Sequence, residues 1–287
     1  MKDYLKQIPI LNVNINGCTG SSRLLPIQAY PMGQHVYIGY PSEPYRNFVS
    51  FFHQIWGNEN VERHIYPAGC SAIVCRLECQ QPESFVVGTP TFCRIAEYTL
   101  SSSCIFFVAF FWPGMGYTIL PNPTTEIVDK SIPLREVFPD FAPRFTEEMD
   151  LAETFYERIF IFERFLSKIL VKSRSIPVQH QKLIKAFCYE TENLLNHNVR
   201  RVYNSAFTDR HTRRLLIKYL GLPPNLYSRI IRYQKSLHFL SSNPEENLAE
   251  MAAGLGYFDQ SHFIKEFKRF HGKTPVEFIR RFCCLAL

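Results

Sequence analysis

Residues 254–275, GLGYFDQSHFIKEFKRFHGKTP, restrict the fold of this chain more than any other stretch. Phe263, Phe267 and Phe270 recur at steps of four and three, the spacing that lines one face of an α-helix. Asp259 precedes that pattern and suits the cap of its first turn. Upstream, the Ala-rich run 248–255 reads as a first helix after "SNPEEN", and Gly256 separates the two. The spacing predicts two short helices joined by a glycine-bearing turn, with the phenylalanines buried between them. Gln260, Ser261, His262 and Lys265 begin the second helix. Ser261, Lys265, Lys268 and Arg269 lie largely away from the aromatic stripe. In a helix-turn-helix, such a polar N-terminal end meets base edges in a major groove. There Gln bonds adenine bidentately and Lys bonds guanine or a phosphate. An ordinary helical hairpin with a solvated face accounts equally well for the spacing alone.

The rest of the chain divides into two textures. From about Ile8 to Ile132, short β-branched and aromatic runs alternate with Pro, Gly, Asn and Ser: "HVYIGY", "NFVSFFHQIW", "CSAIVCRLEC", "ESFVVG" and "IFFVAFFW". This punctuation predicts an antiparallel sandwich or small barrel rather than alternating β-α units. Phe52, Phe111 and Trp112 read as core before they read as pocket lining, and Pro67-Ala68-Gly69 and Pro113-Gly114 as turn residues. Prolines 133, 139 and 143 mark a connection. A helix is then expected to start at Thr146 and carry Leu151, Phe155, Ile159, Phe162, Leu166 and Ile169 on one face. That stripe serves either the domain's own core or dimerisation. Residues 171–179 read as a linker, and from His180 onward the texture is helical. The expected organisation is therefore a multidomain α+β chain. Residues 1–145 form a mostly-β sandwich or barrel-like domain with closing helices, 146–179 an amphipathic helix and linker, and 180–287 an all-α domain.

Charge follows the same division. The chain carries +6 overall, but residues 180–287 hold 17 Lys and Arg against 9 Asp and Glu. A cationic C-terminal third beside a near-neutral remainder fits a polyanion partner for that third only. No secretory leader is legible at the N-terminus, and residues 104–114 are too short to span a bilayer, so a cytoplasmic location without membrane contact is expected. The nine cysteines are irregularly spaced, which favours reduced thiols over a disulfide framework. Cys70, Cys75, Cys79 and Cys93 lack the paired short spacings of a structural zinc site, so neither metal nor cofactor is expected. Cys75 beside Arg76 and Cys93 beside Arg94 are the candidates for a redox-responsive thiol. No Gly-x-Ser-x-Gly, P-loop or Gly-x-Gly-x-x-Gly motif is present, so the chain is not expected to be an enzyme.

Residues 248–282 resemble the second helix-turn-helix of the AraC/XylS family of transcription regulators. Leu248, Ala249 and Ala252 match its scaffold helix, Gly256-Tyr257 its turn, Phe263 and Phe267 its recognition helix, and Gly272, Pro275 and Arg280 the run that follows. The resemblance implies a second such unit upstream, which 208–240 resembles. Thr208 would cap its recognition helix, Arg210, Arg213 and Arg214 would face DNA, and Gly221 and Pro224 would echo Gly272 and Pro275. Residues 227–240 would form the connecting helix, with Ile230, Ile231 and Leu237 inward. This copy departs from the family pattern at Ala206, Thr212 and Leu216 and in the polar segment 198–205. The resemblance further implies duplex DNA as partner, with two helices entering successive major grooves roughly 34 Å apart. Order-preserving similarity to N-terminal domains attached to such regulators covers "YRNFVSFFHQIW", "YPAGCSAIV", "FVVG", "FFWPGMGYTI" and "SIPLREVF". It implies a small-molecule effector or homodimerisation through 146–170, and contact with RNA polymerase if the chain is an activator. The alternative that the cysteine count keeps open is a redox- or metal-responsive DNA binder. A lesser one is an alkyl-transfer repair regulator.

Overall fold

The computed structural model describes residues 36–56, 64–95, 104–193 and 208–283. The N-terminal half is built on a six-stranded sheet of β1 (Val36–Gly39), β2 (Val49–Trp56), β4 (Ala72–Leu77), β5 (Glu83–Val87), β7 (Ile105–Phe111) and β8 (Ser131–Pro133). Its order is β1-β2-β7-β4-β5-β8, and every neighbouring pair is antiparallel. A separate ladder pairs β3 (His64–Ile65) with β6 (Arg94–Ile95). The five sequence runs all became strands of the large sheet. The short β3, β6 and β8 carry too little alternation to be seen from sequence.

The continuous apolar runs follow from burial on both faces. Every residue of β7 is buried, and every residue of β2 except Trp56. Phe52, Phe107, Ala109 and Phe111 share one cluster with the helices that follow; Phe51, Val108 and Phe110 pack on the other side with Ala68 and Cys70. Alternation along a pleated strand sends neighbours to opposite faces, so a central strand covered twice must be apolar throughout. Phe52 and Phe111 are fully buried core residues, and Trp112 donates its Nε1–H to the Arg46 carbonyl at 2.8 Å.

Short helices α1 (Gly116–Ile119) and α2 (Leu134–Val137) lead to α3 (Ala142–Leu151) and α4 (Phe155–Leu170). Here the sequence expectation is corrected. Thr146 does not open a helix; it lies inside α3, and its hydroxyl bonds Ser84 at 2.8 Å. The expected single helix breaks at Ala152, whose backbone is extended, and restarts at Thr154. Thr154 and Glu157 form a reciprocal capping box, which supplies partners for the donors that a new helix start exposes. Phe155, Phe162, Leu166 and Ile169 are buried against the sheet, whereas Leu151 is exposed. The stripe therefore serves the domain's own core.

The C-terminal half is helical: α5 (Val178–Asn193), α6 (Asp209–Leu220), α7 (Pro224–Ser242), α8 (Leu248–Gly254), α9 (Gln260–His271) and α10 (Pro275–Cys283). The helix at α5 starts two residues before the expected boundary. One cluster unites Phe187, Leu216, Tyr227, Ile230, Leu237, Phe263, Phe267 and Phe270, and it includes Tyr66 from the N-terminal half. None of the helices among the described residues is long and apolar enough to cross a membrane.

Candidate nucleic-acid interface

Helices α8 and α9 form a tight pair. Asn247 caps α8 by accepting from the Ala249 N–H, and Asp259 caps α9 by accepting from the His262 N–H at 2.6 Å. Gly256 joins them with a positive φ of 74°, a conformation that costs glycine nothing and other residues a steric clash. Phe263, Phe267 and Phe270 are wholly buried, as the spacing predicted. Tyr233 of α7 meets Phe267 and Phe270 with ring centroids 5.5 Å from each. Glu266 is buried on the same side of α9 and forms an ion pair with Arg229 of α7. Arg232 donates to the Gly256 carbonyl at 3.2 Å and lies over the Tyr257 ring. Thus the connecting helix holds both the recognition helix and the turn before it.

What remains outside is polar and cationic. Gln260, Ser261, His262, Lys265, Lys268 and Arg269 are all exposed. His262 also serves the turn: its Nδ1 accepts the Phe258 N–H at 3.3 Å, which leaves Nε2 to face outward. Lys268 and Arg269 lie in the last turn, where cations complement the carbonyl end of the helix as well as any external anion.

In the first unit, α6 is capped by Thr208, which accepts from the His211 N–H. Arg210, Arg213 and Arg214 are exposed on this helix, while Leu215, Leu216 and Tyr219 are buried. The Arg214 guanidinium lies 3.1 Å from His211 Nδ1. Thr212 is completely buried. The polar segment 198–205 and Ala206 lie outside the described residues. Both recognition helices end the same way: Gly221 and Gly272 adopt left-handed φ values of 79° and 82°, and Pro224 and Pro275 open the next helices.

The sheet domain grips both units at those ends, which sequence reasoning did not find. Thr124 Oγ1 donates to the Lys218 carbonyl at 2.6 Å, and a Cβ on Gly221 would lie 2.9 Å from the Thr124 carbonyl oxygen. Tyr66 stacks on His271 with centroids 4.5 Å apart and planes 4° from parallel. His271 is itself buried, its Nδ1 2.9 Å from the Tyr233 hydroxyl. Gln234 of α7 donates to the Pro67 carbonyl. The Pro67-Ala68-Gly69 turn thus exists for tertiary contact: Gly69 has φ of 72° and faces Tyr227 and Ile231.

Neither candidate thiol, Cys75 or Cys93, sits where a thiolate is favoured. Burial pushes Cys70 and Cys75 up to about 12 and Cys93 up to about 11, the last against the opposing pull of Lys273. A sensor thiolate needs a shift the other way. Cys93 Sγ lies 3.4 Å from His64 Nδ1. Among the described residues, no three His, Cys, Asp or Glu side chains converge as a metal set.

Two capped helices with cationic outer faces, joined by a long buried helix, define a helix-turn-helix protein with an attached sheet domain. Residues 204–281 match the family described as a helix-turn-helix domain. No curated protein matches the sequence. Solved structures of ToxT from Vibrio cholerae align with the chain at low similarity. One, from the P21 crystal form, is 13% identical, covering 88% of this chain and 99% of that one, with a TM-score of 0.43. Another, bound to an unsaturated fatty acid, is 10% identical, covering 90% and 99%, with a TM-score of 0.41. A third, bound to (E)-4-(8-methylnaphthalen-1-yl)but-3-enoic acid, is 14% identical, covering 88% and 100%, with a TM-score of 0.42.

Proposed function

We propose that this chain is a sequence-specific DNA-binding transcription regulator that inserts α6 and α9 into successive major grooves. The observation that carries this reading is the division of α9. One side is buried, with Phe263, Phe267 and Phe270 beside Glu266; the other presents Ser261, Lys265, Lys268 and Arg269 to solvent, and Gln260 is exposed at the capped N-terminus. A helix held this rigidly reads bases with little ordering cost on binding. Selection by the full-length chain from a pool of randomised duplexes tests the function. A regulator enriches one asymmetric site spanning two helical turns, and recovery of no preferred sequence rejects the reading.

The two helices divide the work. On α9, Gln260 and Lys265 are assigned to base edges, Ser261 and His262 Nε2 to neighbouring contacts, and Lys268 and Arg269 to phosphate. On α6, Arg210, Arg213 and Arg214 are assigned mainly to phosphate, because three exposed arginines supply charge without the amide that reads adenine. Replacing Arg213 or Arg214 by alanine is expected to weaken binding to all duplexes alike. Each change should flatten the slope of log affinity against log salt by about one unit, read by fluorescence anisotropy across a salt series. A loss confined to the selected sequence would instead make them base readers.

Control through the sheet domain, by a small molecule or a second copy, is the remaining part of the proposal. A cleft of about 370 Å³ between β5, β8 and α3, lined by Glu83, Pro133, Arg135, Thr146, Glu147 and Asp150 among others, has the size of a small-ligand site. An occupant changes DNA binding only if it prefers one arrangement of the two units over another. Dimerisation through 146–170 has to use the outer face of α4, since its apolar stripe is committed to the sheet. Tyr156 and Phe160 are 44% and 64% exposed there, and Leu151 at the end of α3 is 74% exposed. Phe160→Arg is expected to convert a dimer into a monomer in sedimentation equilibrium with its melting temperature unchanged. A wild-type chain that is monomeric at micromolar concentration removes this part of the proposal.

A further inference from the structure

The turn that leads into α9 presents one side chain with no role inside the protein. Phe258 is 91% exposed, while Tyr257 before it is buried and Asp259 after it caps the helix. It occupies the position just before the Asp259 cap, where a hydrophobic side chain ordinarily folds back onto the fourth helical residue. That residue is Phe263, and the place against it is already taken: the Tyr257 ring lies 5.0 Å from it, and Tyr257 is buried. Phe258 is therefore left pointing outward, although its backbone is fixed by the hydrogen bond from its N–H to His262 Nδ1. A whole aromatic ring thus stands on a fixed backbone next to Gln260 and Ser261, where whatever the start of α9 binds would cover it. Nearby Gly254 points the same way. It ends α8, and a Cβ there would meet nothing within 4 Å, so internal packing gives no reason for glycine.

We infer that Phe258 is a specificity residue that packs on the C5-methyl groups of thymine beside the bases read by Gln260. This deepens the proposed function and rests on it. A recognition helix enters the major groove by its N-terminal end, so the residue just ahead of the helix reaches the same depth as its first turn. In that groove the thymine methyl is the apolar group on display, and an aromatic ring is a suitable partner for it. Lys265, Lys268 and Arg269 on the same helix favour the duplex over an apolar protein surface as the occupant.

The probe is the duplex enriched by the full-length wild-type chain from a randomised pool, with each thymine replaced in turn by deoxyuridine, which lacks only the methyl. Removal of one methyl at the edge of the α9 half-site is expected to weaken wild-type binding by about fourfold, the value of one buried carbon. Phe258→Ala should bind thymine and deoxyuridine duplexes equally, while Phe258→Leu keeps part of the discrimination. Both variants should melt with the wild type, since the side chain contributes no internal packing. If Phe258→Ala still distinguishes the two duplexes, or if wild type never does, the inference is overturned and the helix-turn-helix reading stands. If no sequence is enriched at all, the parent reading falls and this one with it.

Discussion

Changing Gln260 and Lys265 together to alanine is expected to remove sequence preference while leaving weak, salt-sensitive DNA binding. The direction follows from placement. Both side chains are exposed, Gln260 as the first residue of α9 and Lys265 on the side opposite Phe263, Phe267 and Phe270. Alanine favours helix at both sites, so stability should hold. A good base contact discriminates by about 1–3 kcal/mol, so losing two should cut the ratio of specific to random affinity by roughly 30-fold at the least. Arg210, Arg213, Arg214, Lys268 and Arg269 stay in place, so the charge that holds any duplex is largely kept. Competition of the selected duplex against random duplex in a gel shift measures the ratio directly. A double variant that keeps its preference shows that other residues read the bases. A uniform loss across sequences, with a shallower salt dependence, shows that Lys265 touches phosphate only.

The second large effect is on stability. Arg158 of α4 is 1% exposed, yet its guanidinium is fully engaged. It donates to the Met149 and Ala152 carbonyls at the end of α3, to Gln54 Oε1 on β2 at 3.1 Å, and to Glu78 Oε1 at 2.7 Å. The ion pair itself contributes little, because Glu78 is 46% exposed and water screens it. Truncation is expensive for another reason: it strands the buried amide of Gln54 and the helix-end carbonyls that Arg158 satisfies. Arg158→Ala is expected to cost about 3–5 kcal/mol in the sheet domain, as for other broken buried polar sets. Both tryptophans of the chain, Trp56 and Trp112, belong to that domain. Their fluorescence in a urea titration therefore follows the unfolding of that domain directly. A shift below 1 kcal/mol would mean that water reaches the site and replaces the guanidinium.

The C-terminal half was largely legible because its constraints are local. Helical steps in phenylalanine, a capping Asp259, and glycines that end helices at 221 and 272 act within a few residues of one another, so the linear order displays them. Much of the sheet was legible because β-branched and aromatic runs fit a pleated, buried surface and the Pro, Gly, Asn and Ser between them mark the turns. The same reading erred at Thr146. A threonine followed by acids looks like a helix start there, but the helix restarts at Thr154, where Glu157 completes the box. Phe258 was passed over as part of the turn, since nothing in the order of residues says that Tyr257 would take its place against Phe263.

By itself, then, the order of residues determined which five long runs become strands of the large sheet, where α9 begins and ends, and which of its faces stays polar. Only the tertiary structure decided that Tyr66 and Thr124 of the sheet domain close on the ends of the two recognition helices, and Pro67 on the helix that connects them. It alone decided, too, that Arg158 lies beneath the sheet rather than in solvent. The reason is physical. Capping and helical periodicity are interactions between near neighbours in the chain, whereas a contact such as Gln234 with Pro67 joins residues 167 positions apart and exists only once the chain has folded.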